Sequence, residues 1–390
     1  MLNEKICSAI DNQKETLLNL SHAIHEHPEV RFTEKTAVKL IKEVLEANGF
    51  DFLCPWAGLD TAFKAVYHGK PGGPTLAFLA EYDALEKIGH GCGHNLIATM
   101  SVGAALGIKT QMQDITGDIV IMGCPGEEGG KGKVIMLNNN GFDGIDYAMM
   151  IHPADYNMIQ RTGLAAVVVD VEFIGQSAHS KQPSDGINAL TALIQMFNGI
   201  DARRQCWADK TRCNGIITDG GTASNVVPDY AAGKFTVRAS TVAELEKVVD
   251  DMENIAKAAE LMVGAKVNFK PGYISSERYC NLAMDERLKA HVQDFGIEMQ
   301  YPPKNLSAGS SDFGNVSMKL PGIHAYLSIA EQGEKIKNHT KEFTAAAISK
   351  KADDVILIGA KSLAMTAYDI FTDTALQKDI SAEFAKVPKR

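Results

Sequence analysis

Apolar residues in the first fifty positions recur at helical spacing. Val38, Ile41, Val44 and Leu45 form one stripe and Asn48-Gly49 supplies a stop, so this stretch is expected to hold two amphipathic helices. Beyond it, short apolar runs alternate with helical segments. Pro74 to Ala80, Asp118 to Gly123 and Ile145 to Ile151 read as buried strands, and Asn95 to about Lys109 as a helix. Strands separated by helices predict an α/β fold whose sheet is mostly parallel and covered on both faces. In such sheets ligands bind beyond the carboxyl ends of the strands.

From about Thr162 the pattern becomes two-residue alternation. Val169, Val171 and Phe173 alternate with Asp170 and Glu172, the signature of a half-solvated strand. Ile187, Leu190, Ile194 and Phe197 then mark a helix. Strands follow near Cys213–Thr218 and Gly233–Ser240, the latter with Phe235, Val237 and Ala239 on one face and Lys234, Thr236 and Arg238 on the other. A helix striped by Leu245, Val248, Met252, Ile255 and Ala259 leads to a last strand at Ala265–Phe269. This β-α-β-β-α-β order is the ferredoxin-like split motif. The expected domains are therefore 162–274, inserted, and a discontinuous domain of 1–161 and 275–390. The closing segment returns to α/β character, with a strand at Ile323–Ile329 and one long helix from about Lys341 to Phe371.

Composition narrows the class. The chain has 390 residues, 45% hydrophobic and 22% charged, with a formal charge of -9. That balance fits a globular protein of about two domains and offers no basic footprint for nucleic acid. Seven scattered cysteines, an odd number, read as reduced thiols. Charged residues interrupt the N-terminal segment where a signal peptide needs an apolar core. No uninterrupted apolar run reaches the roughly 18 residues of a membrane span. A cytoplasmic protein with a small-molecule substrate, without nucleic acid or membrane partners, is the expectation.

The candidate chemistry gathers at strand ends. Glu127 and Glu128 follow the Asp118–Gly123 strand within Cys124-Pro125-Gly126-Glu127-Glu128-Gly129-Gly130. Adjacent carboxylates at an open strand end repel unless a cation receives them, and because neighbouring side chains diverge, one can bind a metal while the other faces a substrate. A solvated acidic turn is the bland alternative. Cys92 and His94, separated by one residue and flanked by glycines, can reach one ion, and the following helix N-terminus favours a thiolate; a buried free cysteine is the alternative. His152 and His339 stand at another strand end and helix start. Glu81-Tyr82-Asp83, Cys92/His94, Glu127/Glu128 and His152 share one rim. His22, His25 and His27 fall on or beside an N-terminal helix, His68 and His291 read as solvated, His324 as a core residue, and His90 has no evident task. The glycines near Cys92 and Lys131 are not a phosphate loop, since no Gly-Lys-Ser/Thr follows.

Taken together, these motifs resemble peptidase family M20, and within it the amidohydrolase subfamily D of aminobenzoyl-glutamate hydrolases, N-acyl-amino-acid hydrolases and dipeptidases. The resemblance rests on Leu20 to Glu29, Ala80-Glu81-Tyr82-Asp83-Ala84-Leu85, Gly89 to Leu96, Pro125 to Gly130, Gly175-Gln176-Ser177-Ala178-His179, Gly220 to Pro228, Ser310 to Ser317 and His339. These run in order along nearly the whole chain. The resemblance implies a zinc-peptidase-like catalytic domain with an inserted lid and dimerisation domain. It implies that Cys92, His94, Glu128, His152 and His339 hold two divalent ions, zinc or manganese with cobalt or nickel admissible, and that Glu127 is the general base. It further implies that His179 reaches a partner subunit's active site, that Asn225 and Arg238 contact the substrate carboxylate, and that the protein is a homodimer through the lid domain or a higher oligomer. For Arg238, a solvated strand arginine is the bland alternative. The chain departs from the pattern at Ser180, Asn338, Cys124 and Gly126, none of which removes a ligand. The implied activity is metal-dependent hydrolysis of the amide bond of N-acyl amino acids, aminobenzoyl-glutamate-like compounds or dipeptides. The competing expectations are a catalytically silent partner in such a hydrolase and a cysteine hydrolase using Cys92 with His94.

Overall fold

Three helices, not two, open the chain in the computed structural model, which describes residues 2–303 and 309–388. They are α1 (Leu2–Asn12), α2 (Lys14–Glu26) and α3 (Lys35–Ala47). The buried stripe Ile6, Ile10, Leu17, Leu20, Ile24 keeps helical phase through Gln13, where the first break falls. Periodicity alone therefore hides that break.

Next come β1 (Asp51–Leu53), β2 (Phe63–His68), β3 (Lys70–Ala80), α4 (His94–Lys109), β4 (Thr116–Gly123), α5 (Gly132–Asn138) and β5 (Tyr147–Ala154). The first two strands add an antiparallel edge that the apolar pattern did not reveal, β1 being short and largely solvated. With the late strand β12 (Gly322–Ser328), the sheet order is β1-β2-β4-β3-β5-β12, and β3 pairs in parallel with both β4 and β5. Leu76, Phe78, Ile119 and Ile121 are fully buried, each such side chain contributing about 1.5–3 kcal/mol relative to exposure. Helix α4 is buried from His94 to Ile108, which is why it reads as apolar all round rather than striped.

The alternating segment forms β6 (Ala165–Ile174), β7 (Ala178–His179), α6 (Ala189–Arg203), β8 (Arg212–Asp219), β9 (Val226–Val227), β10 (Tyr230–Ala239), α7 (Val242–Val263) and β11 (Lys266–Pro271). Its sheet, ordered β11-β6-β10-β8, is antiparallel throughout. Val169, Val171, Phe173, Phe235 and Val237 point into a core shared with α6 and α7. Asn188 and Thr241 cap the two helices by accepting the amides of Thr191 and Glu244.

The chain ends with α8 (Leu282–Gln293), α9 (Phe313–Lys319), β12 (Gly322–Ser328), α10 (Lys341–Ala346), α11 (Lys350–Thr372) and α12 (Thr374–Phe384). Strand β12 runs parallel to β5, placing Tyr326 beside His152. The single helix expected over Lys341 to Phe371 is two, because the Ser349 side chain accepts the Ala352 amide and starts α11 anew. By length and composition α11 could cross a membrane, with hydropathy 1.3 in its most apolar window, but 72% of that window is buried as in a core helix. His291 is also not solvated: it is buried, with Nε2 2.7 Å from Asp369 on α11.

Two compact units result: Met1–Thr162, Tyr279–Ala308 and Asn315–Arg390 form one, Gly163–Arg278 and Gly309–Gly314 the other. The described cysteines are all free thiols.

Candidate metal centre and active site

The first unit gathers its donors where β3, β4 and β5 end. After β3, the run Glu81-Tyr82-Asp83 is fully inside the fold, and the Cys92 loop turns into the first residue of α4, His94. Gly93 adopts φ +72°, and a Cβ there would lie 2.5 Å from Cγ of Pro153. Only glycine allows the loop to approach the end of β5 so closely. That approach brings Cys92 Sγ within 3.5 Å of His152 Nε2. From the far end of the chain, the His339 amide donates to the Gly91 carbonyl at 2.8 Å and its ring Nε2 lies 3.1 Å from Glu128 Oε1.

The five anticipated donors and Glu127 thus lie together. Ligand atoms fall within 4.8 Å of one another in three sets: Cys92, His94 and His152; Cys92, Glu128 and His339; His94, Glu127 and Glu128. Cys92 is common to the first two. Thiolate, imidazole and carboxylate are the donor types that borderline divalent ions take.

Hydrogen bonds fix which atoms face inward. His94 Nδ1 pairs with Asp83 Oδ1 at 3.0 Å, and His152 Nδ1 with the Pro153 carbonyl at 2.7 Å. In each ring Nε2 is the nitrogen left to face the cluster, the carboxylate–histidine arrangement that orients metal ligands. The second oxygen of Asp83 accepts the Glu128 amide at 2.8 Å, so one buried carboxylate sets both a histidine and the glutamate loop. His94 Nε2 and Glu128 Oε1 are buried without an aligned hydrogen bond; the latter is near His339 in distance only. Unsatisfied buried polar atoms of this kind mark a place for a cation. The residues fit a metal centre.

The electrostatics agree. Burial opposes a charge on His94, yet Asp83 overrides it and holds the ring protonated well above the usual range. The neighbouring Cys92 and Glu128 push His339 up to about 10. Burial raises Glu128, but the adjacent His339 and the His94 charge bring its pKa below the ordinary value. Positive charge is thus favoured on the two rings beside Asp83, Cys92 and Glu128, the place a bound cation would take.

Several supporting residues escaped the sequence reading. Asp83 lay on the anticipated rim without a role. Lys133 is fully buried and bonds Glu81 at 2.6 Å, while the other oxygen of Glu81 is 3.5 Å from His94 Nε2. A lysine two residues after Lys131 in a glycine-rich turn gives no hint of burial. Glu34, on α3's entry, is likewise buried.

The second unit carries the remaining anticipated residues. His179 is exposed on β7, which pairs with β9, and its Nδ1 accepts the Lys181 amide at 3.0 Å. A neutral ring bonded this way presents Nε2–H outward as a donor. Ser180 donates to the Asn225 carbonyl at 2.9 Å, tying exposed Asn225 to the same ribbon. A cavity of about 570 Å³ lies against this ribbon, lined among others by Ser180, Asn188 and Thr222. Arg238 is elsewhere, on the half-solvated face of β10, donating to Ser310 Oγ at 3.2 Å.

A model of the peptidase dimerisation domain matches residues 159–261. The human Xaa-Arg dipeptidase is 34% identical, covering 98% of this chain and 92% of its own. The chain belongs to the M20 peptidase family. A further relative, one of the subunits of the p-aminobenzoyl-glutamate hydrolase of Escherichia coli, is 26% identical over 98% of this chain and 94% of that protein. In fold, the aminobenzoyl-glutamate utilization protein of Klebsiella pneumoniae matches with a TM-score of 0.75 at 20% identity, covering 95% of this chain and 99% of that one. The M20 assignment makes the protein a peptidase or amidohydrolase acting on amide bonds, with a dimerisation domain and a mostly parallel catalytic sheet.

Proposed function

We propose that this M20 protein is a dinuclear metal-dependent amidohydrolase that cleaves dipeptides, aminobenzoyl-glutamate-like compounds or N-acyl amino acids with a free carboxylate. The observation that carries the reading is the pair of donor sets sharing Cys92, with Glu127 beside Glu128 and His94. Cys92, His94 and His152 would hold one divalent ion, and Cys92, Glu128 and His339 the other, zinc or manganese being favoured by the donor types. Bound there, such ions lower the pKa of water to about 7 and polarise a carbonyl.

Within that reading, Glu127 is outside the paired donor sets and takes the proton of the attacking water, then returns it to the departing amine. General acid–base work of this kind is worth about 10²–10⁴ in rate. His179 Nε2–H donates to the developing oxyanion in the other protomer of a homodimer. Asn225 and Arg238 hold the substrate carboxylate, which the names of both relatives support, since Xaa-Arg dipeptides and aminobenzoyl-glutamate each carry an amide to an amino acid with a free carboxylate.

The test is Glu127→Gln. Metal content measured on the purified protein is expected to be unchanged while turnover falls by about 10²–10⁴; hydrolysis near the parent rate overturns the base assignment. That the Escherichia coli relative is named as one component of a larger hydrolase favours a second reading, a silent partner. The intact donor set supports the catalytic reading, and an assay of the purified protein alone, across dipeptides and N-acyl amino acids with Mn²⁺ or Zn²⁺, separates the two. Chelator inhibition reversed by the ion, with resistance of the loaded form to alkylation, excludes a cysteine hydrolase.

A further inference from the structure

The turn bearing Glu127 has little stiffness of its own. Gly126 and Gly129 both stand at positive φ, +66° and +82°, and glycine turns are the loosest that a chain can make. Within it, the Gly129 amide donates to the Glu127 carbonyl at 2.7 Å and the Gly132 amide to that of Gly126 at 3.4 Å; besides the Asp83 bond to the Glu128 amide, its other restraints come from the segment between α2 and α3. The segment between α2 and α3 crosses beneath, joined to the Asp83 loop through the Ala84 amide and the Glu29 carbonyl at 2.8 Å. Phe32, itself at φ 65°, lays its ring against Gly126, where an added Cβ would come within 2.7 Å of it. Arg31 donates to the Glu128 carbonyl at 3.2 Å. Glu34 makes the central bond: its Oε1 accepts the amides of Phe32 at 2.8 Å and Gly126 at 2.9 Å, and its Oε2 accepts the Thr61 hydroxyl at 2.7 Å.

We propose that Glu34 is a positioning residue for catalysis: by accepting the Gly126 amide from inside the core, it fixes the turn that aims Glu127 at the metal centre. This rests on Glu127 being the base. Glu34 is fully buried, its hydrogen bonds to Phe32, Thr61 and Gly126 go to none of the donor atoms, and it joins one end of α3 to the residue preceding Glu127. A misplacement of about 1 Å at a reacting group costs about 10² in rate, so a loosened turn is felt in kcat. Burial pushes the Glu34 carboxyl up to about 7. A proton on Oε2 beside Thr61 leaves Oε1 as an acceptor, and the bond to Gly126 survives in either form.

The experiment compares Glu34→Leu, Glu34→Gln and Thr61→Val by kcat, KM, metal content, and amide hydrogen exchange of the peptide covering 124–130. Glu34→Leu removes both acceptors. It is expected to lower kcat by about 10–100-fold with KM and metal content unchanged, and to speed exchange in 124–130 while the rest of the chain stays protected. Glu34→Gln keeps an oxygen at the Oε1 position and restores kcat and protection. Thr61→Val disturbs the same buried pocket without touching the Gly126 bond and is expected to leave kcat near the parent value. Unchanged kcat in Glu34→Leu overturns the proposal. Equal losses in all three variants overturn it too, reducing Glu34 to core support. Should Glu34→Leu fail to fold, the double variant Glu34→Gln/Thr61→Val decides: it retains the Oε1 acceptor, and a tenfold loss of kcat there overturns the proposal. If the parent protein hydrolyses no amide, the functional reading fails while the exchange comparison still decides whether Glu34 restrains the turn.

Discussion

The donors at the strand ends and the side chains on the β7–β9 ribbon differ in what holds them. His94 is buried, its ring set by Asp83, which also receives the Glu128 amide. Next to its Nε2, Glu81 forms an ion pair with Lys133 inside the protein. His179 and Asn225, by contrast, are exposed and anchored through one ring nitrogen and one carbonyl. The first region is a preorganised centre whose geometry is part of the stability of its unit. The second is a presenting surface that can be changed without cost to its own core. In the proposed enzyme this division separates metal binding and proton transfer from oxyanion and carboxylate recognition.

The largest expected effect breaks the buried side of the comparison. Lys133→Met leaves Glu81 inside the protein without the lysine's compensating charge, and uncoupling a buried pair costs about 3–5 kcal/mol. Chemical denaturation is expected to show that loss, and Glu81→Leu/Lys133→Met to recover much of it, because a buried pair is worth little more than an apolar replacement. A single variant as stable as the parent shows that the pair does not support the centre.

His179→Ala addresses the exposed side. Stability is expected to move by no more than about 0.5 kcal/mol, as for other surface substitutions. The proposed oxyanion role predicts a fall of about 10²–10³ in kcat with metal content intact. Mixing His179→Ala with Glu127→Gln should restore part of the activity, since each supplies what the other lacks if the donor acts across a dimer. Failure to recover in a demonstrably mixed dimer rejects the shared site.

The same contrast explains what was legible in the sequence. Glu127-Glu128, Cys92-x-His94 and His152 could be read because short apolar runs mark strands, strands end at Gly or Pro, and polar residues placed there have little structural reason to be present. The ferredoxin-like order could be read from alternation at Val169–Phe173 and Phe235–Ala239. Other features had no such signal. Lys133 and Glu34 look like solvated charges until the chain folds over them, and their burial depends on contacts far apart in sequence, such as Glu34 with Gly126. His291 was misplaced for the same reason, its partner Asp369 lying on a distant helix. The break at Gln13 was invisible because the apolar stripe runs straight through it. Periodicity reports which face is buried, not where a helix is interrupted.

Asp83→Asn sharpens the comparison within the buried region. An amide in place of the carboxylate weakens the orientation of His94 and the hold on the Glu128 amide. Loss of such an outer partner typically costs about 10–100-fold in metal affinity. Titration of the metal-depleted protein is expected to show that shift, with activity largely regained at saturating ion. Unchanged affinity makes Asp83 a packing residue.

Arg238→Ala is the corresponding test in the second unit. The guanidinium stands on the half-solvated face of β10 with a neutral partner, Ser310, so it is not committed to an internal carboxylate by that bond. A hydrogen bond to a charged group is worth about 1.5–3 kcal/mol, so the proposed carboxylate contact predicts a rise of about 10–100-fold in KM with kcat little changed. Arg238→Lys is expected to fall between the two, because an ammonium supplies the charge but not the planar fork. The decisive comparison uses a substrate and its carboxyl-amidated form. The parent should discriminate strongly between them and Arg238→Ala should not, whereas equal discrimination in both proteins assigns the carboxylate to other residues.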